Sequence, residues 1–193
     1  MNPLNPRDAL IIVDLQNDFL PGGALGVHGG RDIVPVLSEY VLRFVAKGLP
    51  IFLTRDWHPP NHCSFHKHGG PWPPHCLAGS PGALPPDEFP VPPSAVIIYK
   101  GIDPDQDAYS GFQGTALHRH LQALDIRRVF VGGLATDYCV LNTVKDAIAL
   151  GFQVCLLIDG IKAVNIKPDD GSLAEQEMIR LGALPVRLEA LAL

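Results

Sequence analysis

Cys139 is the residue of this chain best placed to do chemistry. It stands eight residues beyond Val131, the last residue of the apolar run Val129-Phe130-Val131, which reads as a buried strand. Gly132 and Gly133 then permit a tight turn that bulkier residues would strain. Thr136 or Asp137 can cap a new helix, over Asp137–Leu150, with Val140, Val144, Ala147 and Ile148 on one face. Cys139 therefore falls in the first helical turn. Unpaired N–H groups there favour negative charge and depress a thiol pKa, which points to a nucleophile. The plain alternative is a small residue that only packs, as most free cysteines do.

Three further reactive groups close three other apolar runs: Asp14 after Ala9–Val13, Asp56 after Ile51–Arg55, and Lys100 after Ala95–Tyr99. In an open α/β sheet, ligands bind beyond the carboxyl ends of the strands. Singly, each of these groups reads as a solvated loop residue; together at one sheet edge they are complementary. An acid can take the thiol proton, an ammonium favours thiolate and carboxylate, and a thiolate attacks a carbonyl. Backbone N–H groups in the Ala135–Cys139 turn can stabilise an oxyanion. Asp56-Trp57-His58 adds a carboxylate and an imidazole pointing the same way on an extended segment, with His75 able to close around a metal. Alone, an Asp-x-His pair is a weak signal.

The elements that must position these groups alternate. Helices are expected over Arg31–Lys47, Gly114–Leu124, Asp137–Leu150 and Ser172–Leu181. The strands are Ala9–Asp14, Ile51–Arg55, Ala95–Tyr99, Arg128–Val131, Val154–Ile158 and Pro185–Leu188. Six strands alternating with helices imply a three-layer α/β/α sandwich around a mainly parallel, Rossmann-like sheet. At 193 residues the chain is expected to form a single domain over 1–193. One stretch breaks the alternation. Eleven of the nineteen prolines lie between Pro59 and Pro93, together with His62, His66, His68, His75, Trp72 and two cysteines. A spacer needs none of those side chains, so a functional loop over about 56–93 is expected. His66 and His68 read as surface residues, and His62 is undecided.

The net charge of −5 and the absence of a basic run argue against a nucleic-acid partner. The apolar runs are strand-sized, so no membrane span is expected, and Met1–Asp8 has no secretory pattern. Four cysteines in a chain of this length point to the reduced cytoplasm rather than a disulfide scaffold.

Five segments together carry a resemblance. They are Val13-Asp14-Leu15-Gln16-Asn17-Asp18-Phe19, Asp56-Trp57-His58-Pro59 with Asn61-His62, Trp72-Pro73-Pro74-His75-Cys76, Asp107-Ala108-Tyr109-Ser110-Gly111-Phe112 and Gly133-Leu134-Ala135-Thr136-Asp137-Tyr138-Cys139. In this order they resemble the nicotinamidases of the isochorismatase-like hydrolases. The resemblance implies hydrolysis of nicotinamide to nicotinate and ammonia through a cysteine thioester, with pyrazinamide as a second substrate. It implies a catalytic triad of Asp14, Lys100 and Cys139. A divalent metal, zinc before iron or manganese, would be held by Asp56, His58 and His75. It also implies a ring pocket lined by Phe19, Trp72 and Tyr109, oxyanion N–H groups from Ala135 and Cys139, and a cis peptide between Leu134 and Ala135. His62 matches a position that ligates metal in only some members. No Asp or Glu lies between Asp56 and His75, so water or His62 must complete the shell. Relatives are often dimers or larger, which makes a homo-oligomer possible, while the sequence itself does not reveal the oligomeric state. Isochorismatases lack the cysteine and carbamoyl-cleaving relatives lack the metal pair. From another class, a non-catalytic metal module built on Cys63, Cys76 and the loop histidines would leave Asp14, Lys100 and Cys139 unexplained.

Overall fold

A computed structural model describes residues 3–191. Its centre is a six-stranded sheet, β1 (Asp8–Val13), β2 (Ile51–Asp56), β3 (Val96–Lys100), β4 (Arg128–Leu134), β5 (Gln153–Lys162) and β6 (Leu184–Val186). The strands run in the order β3-β2-β1-β4-β5-β6, and every pairing is parallel. Four α-helices flank it: α1 (Ile33–Ala46), α2 (Leu117–Ala123), α3 (Leu141–Ala149) and α4 (Asp170–Arg180).

Strand alternation divides the core between two faces. Leu10 and Ile12 of β1 pack with Leu37, Tyr40, Val41 and Phe44 of α1. Ala9, Ile11 and Val13 pack with Leu117 and Leu121 of α2, Val144 and Ala147 of α3, and Met178 of α4. The sheet is covered on both sides, which explains why β1 reads as a continuous apolar run and why all six of its residues are buried. The expected three-layer architecture is present.

The strand order reverses between β1 and β4, which makes that crevice the switch point of the sheet. From β2 to β3 the chain crosses without an α-helix. Its proline-rich path holds only the short 3-10 turns His66–His68 and Pro81–Ala83 and two isolated bridges, His58 with Leu77 and Phe65 with Trp72.

Three expectations around Cys139 need correction. Gly132 and Gly133 do not form the turn; β4 continues through them to Leu134. Their role is close approach. A Cβ on Gly133 would stand 2.0 Å from the carbonyl oxygen of Val13, and its φ of +124° disfavours any other residue. A Cβ on Gly132 would stand 3.0 Å from Leu37 and 3.1 Å from the Gly160 carbonyl oxygen. Next, the chain does not enter an α-helix directly. Thr136–Val140 form a π-helical turn, with Val140 N donating to Ala135 O at 3.1 Å, before α3 begins. Finally, neither Thr136 nor Asp137 caps this turn. The Asp137 carboxylate instead accepts from the main-chain N–H groups of Val164 (2.9 Å) and Asn165 (2.8 Å), tying the turn to the loop after β5. The peptide between Leu134 and Ala135 is cis, as the resemblance implied.

The remaining boundaries move by a few residues. The largest shifts are in β5, which runs four residues beyond the expected Ile158 through a bulge opposite Gly132, and in α2, which starts at Leu117 rather than Gly114. The β1–β4 contact yields a direct test. Gly133→Ala should cost about 3 kcal/mol or more, because it combines a strained φ with overpacking against backbone. Chemical denaturation would measure it; a loss below about 1 kcal/mol would mean that β1 and β4 separate easily.

Candidate active site

All four strand-end groups meet at the carboxyl edge of the sheet. Asp14 follows β1 with φ +45°, Asp56 and Lys100 end β2 and β3 in direct register, and Cys139 lies in the π turn beyond β4. Lys100 is the hub, at 1% exposure. Its Nζ stands 2.8 Å from Asp14 Oδ2 and 3.5 Å from Cys139 Sγ, and it donates to Asp56 Oδ1 and to the Ala108 carbonyl at 3.0 Å. Thr54 Oγ1 donates to Asp14 Oδ1 at 2.6 Å and fixes that carboxylate. Asp14 Oδ2 is buried, and the ammonium is its close partner. Donor atoms of Asp14, Asp56 and Cys139 all lie within 4.8 Å of one another.

Burial dominates the electrostatics. It pushes the Cys139 thiol well above the usual value; Lys100 pulls it back, while Asp14 and Asp56 add to the rise. Burial thus works against the thiolate that the start of a helix favours. Burial likewise raises Asp14 against the pull of Lys100. For Asp56 burial is overcome by Lys100 and His58, which hold its carboxyl below the usual range. Lys100 is driven down by burial, but Asp14, Asp56 and Cys139 together keep it well above the usual lysine value. At neutral pH the cluster holds an ammonium, an ionised Asp56, and a thiol beside an acceptor oxygen.

A second cluster shares Asp56. One ligand atom each from Asp56, His58 and His75 lies within 4.8 Å of the others, all three residues being buried. His58 Nε2 is 3.5 Å and His75 Nε2 4.0 Å from Asp56 Oδ2. The opposite ring nitrogens are held by backbone carbonyls, His58 Nδ1 by Gly101 at 2.9 Å and His75 Nδ1 by Pro73 at 2.8 Å. Those bonds turn both Nε2 lone pairs inward, as backbone carbonyls do around metal-ligating histidines. The donor set therefore suits a divalent metal. His62, undecided from sequence, is buried with both nitrogens engaged, Nδ1 with Ser64 Oγ at 2.7 Å and Nε2 with Gln106 O at 3.1 Å. Its ring lies tilted against that of His58 at 4.1 Å between centroids and stays outside the cluster. His66 and His68 are exposed, as expected. All four cysteines are free, and among the described residues neither Cys63 nor Cys76 joins a ligand cluster.

The expected pocket residues gather in two places. Phe19 packs on His75 at 5.6 Å between centroids. Trp72 Nε1 donates to Tyr109 OH at 3.0 Å, and Tyr138 lies 5.1 Å from the Trp72 ring and 5.7 Å from that of Tyr109. Ala135 is buried beside the turn. A surface cavity of about 510 Å³ runs along the edge strand past Tyr99, Lys100 and Gly101. It touches none of Asp14, Asp56, His58, His75 or Cys139, so convergence of groups locates the site better than cavity size.

Sequence reasoning gave no role to four residues that hold this arrangement. Gln16, fully buried, grips Asp56 from both sides: its Nε2 donates to Asp56 O and its Oε1 accepts from Asp56 N, each at 2.8 Å. Asp18 Oδ2 accepts from Cys76 N at 2.7 Å, fixing the residue after His75. Gly101 has φ +63°, and a Cβ there would stand 2.4 Å from the His58 ring. Tyr138 completes the aromatic group. Gln16 and Asp18 were visible as polar residues directly after a buried strand; Gly101 and Tyr138 carried no separate signal.

The Isochorismatase domain family matches residues 8–186. A nicotinamidase of Escherichia coli (strain K12) is 38% identical over 199 residues, covering 92% of this chain and 93% of its own. The crystal structure of a Pyrococcus horikoshii pyrazinamidase in complex with zinc superposes with a TM-score of 0.91 at 48% identity, covering 95% of this chain and 100% of that one. That of PnC1 from L. infantum in complex with nicotinate gives 0.87 at 37% identity, covering 99% and 98%.

Two outcomes follow from the geometry. Gly101→Ala should displace the His58 ring and lower affinity for a divalent ion about 10- to 100-fold, measured by calorimetry on a variant shown to be folded. Unchanged affinity would show that His58 tolerates the intrusion. Lys100→Ala removes the one charge that lowers the Cys139 pKa, so iodoacetamide alkylation of Cys139 should shift to higher pH. An unchanged profile would separate Lys100 from thiol activation.

Proposed function

The chain belongs to the isochorismatase domain family, and on that premise we propose that it hydrolyses nicotinamide to nicotinate and ammonia. The observation that carries the reading is the placement of one buried ammonium against Asp14, Asp56 and Cys139 at once. A thiol, a carboxylate and a fixed positive charge are the parts that amide cleavage through a covalent intermediate requires.

Asp14 takes the Cys139 proton on its carboxylate while the sulfur attacks the amide carbon. The negative oxygen that forms is met by the main-chain N–H groups of Ala135 and Cys139. Ammonia leaves poorly unless protonated, so Asp14 returns the proton to the departing nitrogen, leaving a thioester on Cys139. Asp14 then removes a proton from water, which attacks the thioester, and nicotinate and the thiol are released. Lys100 remains an ammonium throughout, because the two acids around it favour its charge. Phe19, Trp72 and Tyr109 provide flat apolar walls for the ring.

Asp56, His58 and His75 hold a divalent ion in this reading, with zinc the favoured identity for a mixed carboxylate and imidazole set. When bound, the ion supplies a Lewis-acidic anchor for a ring nitrogen. Support for zinc comes from the zinc-bound pyrazinamidase neighbour and from the inward-facing Nε2 atoms. Pyrazinamide keeps the carboxamide and the adjacent ring geometry, so it is a substrate as well. Free thiols suit a cytoplasmic location, and among the described residues no helix is long and apolar enough to cross a membrane.

Ammonia release from nicotinamide by purified protein tests the proposal, with Asp14→Asn as the informative variant. The asparagine keeps the shape and removes the base, so the rate should fall roughly 100- to 10,000-fold. Activity within a few-fold of the parent would reject Asp14 as the proton carrier; no ammonia release from the parent protein would reject the reaction.

A further inference from the structure

Two sets of potential metal ligands stand side by side and share Asp56. One is Asp56, His58 and His75; the other is Asp14, Asp56 and Cys139, also buried and also with donor atoms within 4.8 Å of one another. On ligand chemistry the second set is no weaker. It offers two carboxylates and a sulfur that becomes a thiolate on coordination, the donor that zinc and cadmium favour. An ion seated there would occupy the sulfur that the proposed reaction needs free. Something must therefore keep the metal on the histidine side of Asp56.

The difference between the two sets is Lys100. Its Nζ lies 2.8 Å from Asp14 Oδ2 and 3.5 Å from Cys139 Sγ, and it donates to Asp56 Oδ1, so it fills the place from which an ion would reach all three donors. Asp14 Oδ2 shows that this place suits a cation: it is fully buried, and what it meets 2.8 Å away is the Lys100 ammonium. The histidine set has no such occupant: Lys100 contacts the other carboxylate oxygen of Asp56, leaving Oδ2 to His58 and His75.

We propose that Lys100 is a built-in cation that excludes thiophilic divalent metal from a latent Cys139–Asp14–Asp56 site and confines the ion to Asp56, His58 and His75. Two positive charges a few ångströms apart in a dry site repel strongly, so the ammonium and a second ion cannot share the three donors. With the ammonium removed, the latent site binds by forming a metal–sulfur bond as the Cys139 thiol loses its proton to solvent. The exclusion rests on the metal reading of the histidine set.

Cadmium titration of the metal-free full-length protein tests this, read by ion stoichiometry and by the ultraviolet absorption of cadmium–thiolate bonds. The parent protein should bind one ion per chain with no thiolate absorption that depends on Cys139. Lys100→Ala, and Lys100→Met with its bulk retained, should bind a second ion with thiolate absorption that vanishes when Cys139→Ser is added. Folded Lys100 variants that stay at one ion without that absorption would overturn the latent site. Independently of those variants, excess cadmium should leave Cys139 alkylation of the parent protein, read by peptide mass spectrometry, unchanged; a tenfold slowing would overturn the exclusion. His58→Ala isolates the premise: if it fails to remove the single ion of the parent protein, the metal reading fails, whatever the thiolate signal shows.

Discussion

The arrangement of this site depends on the burial of one ammonium. Taking an ion out of water costs several kcal/mol even after relaxation, so Lys100 is tolerable at 1% exposure only because two carboxylates and a carbonyl surround it. The dependence is mutual. Without Lys100, Asp14 and Asp56 would be acids facing each other inside the protein, and at least one would have to take up a proton. Each partner comes from a different strand, so this one charge couples the ends of β1, β2 and β3 to the turn after β4. Substituting any one member leaves the others with an uncompensated charge or a lone acceptor.

Backbone contacts make that coupling geometrically possible. β1 and β4 approach so closely at Val13 and Gly133 that no side chain fits between them, which brings Asp14 beside the turn bearing Cys139. Gln16 then grips the main chain of Asp56 on both sides, and Gly101 leaves room for the His58 ring against the chain beyond Lys100. The histidine loop has little secondary structure, yet the rings of His58 and His75 are each pinned by a backbone carbonyl. Precision comes from a dense set of hydrogen bonds to main chain, in a region where proline prevents regular ladders.

The electrostatics at Cys139 also run against what its local sequence suggests. A cysteine at the start of a helix suggests a standing thiolate, but here desolvation raises the thiol and two nearby acids raise it further. Burial favours the thiol form, and the Asp14 carboxylate lies within 4.8 Å of the sulfur.

Much of this was legible in the chain itself. Apolar runs of strand length placed the strand cores correctly, because a sheet covered on both faces imposes continuous burial that composition records. The same runs placed Asp14, Asp56 and Lys100 at strand ends, and motif order placed Cys139, His58 and His75 in one neighbourhood. Tertiary structure decided what depends on distances between segments far apart in sequence. Nothing local distinguishes a glycine that turns the chain from one that admits a neighbouring strand, so Gly132 and Gly133 read as a turn. Nothing local shows that His62 spends both nitrogens on Ser64 and Gln106, or that Gln16 clamps a residue forty positions away. The sign of the Cys139 shift belongs to the same class. The helix dipole is a local property written in sequence, whereas desolvation depends on what packs above the sulfur, and only the folded chain determines that.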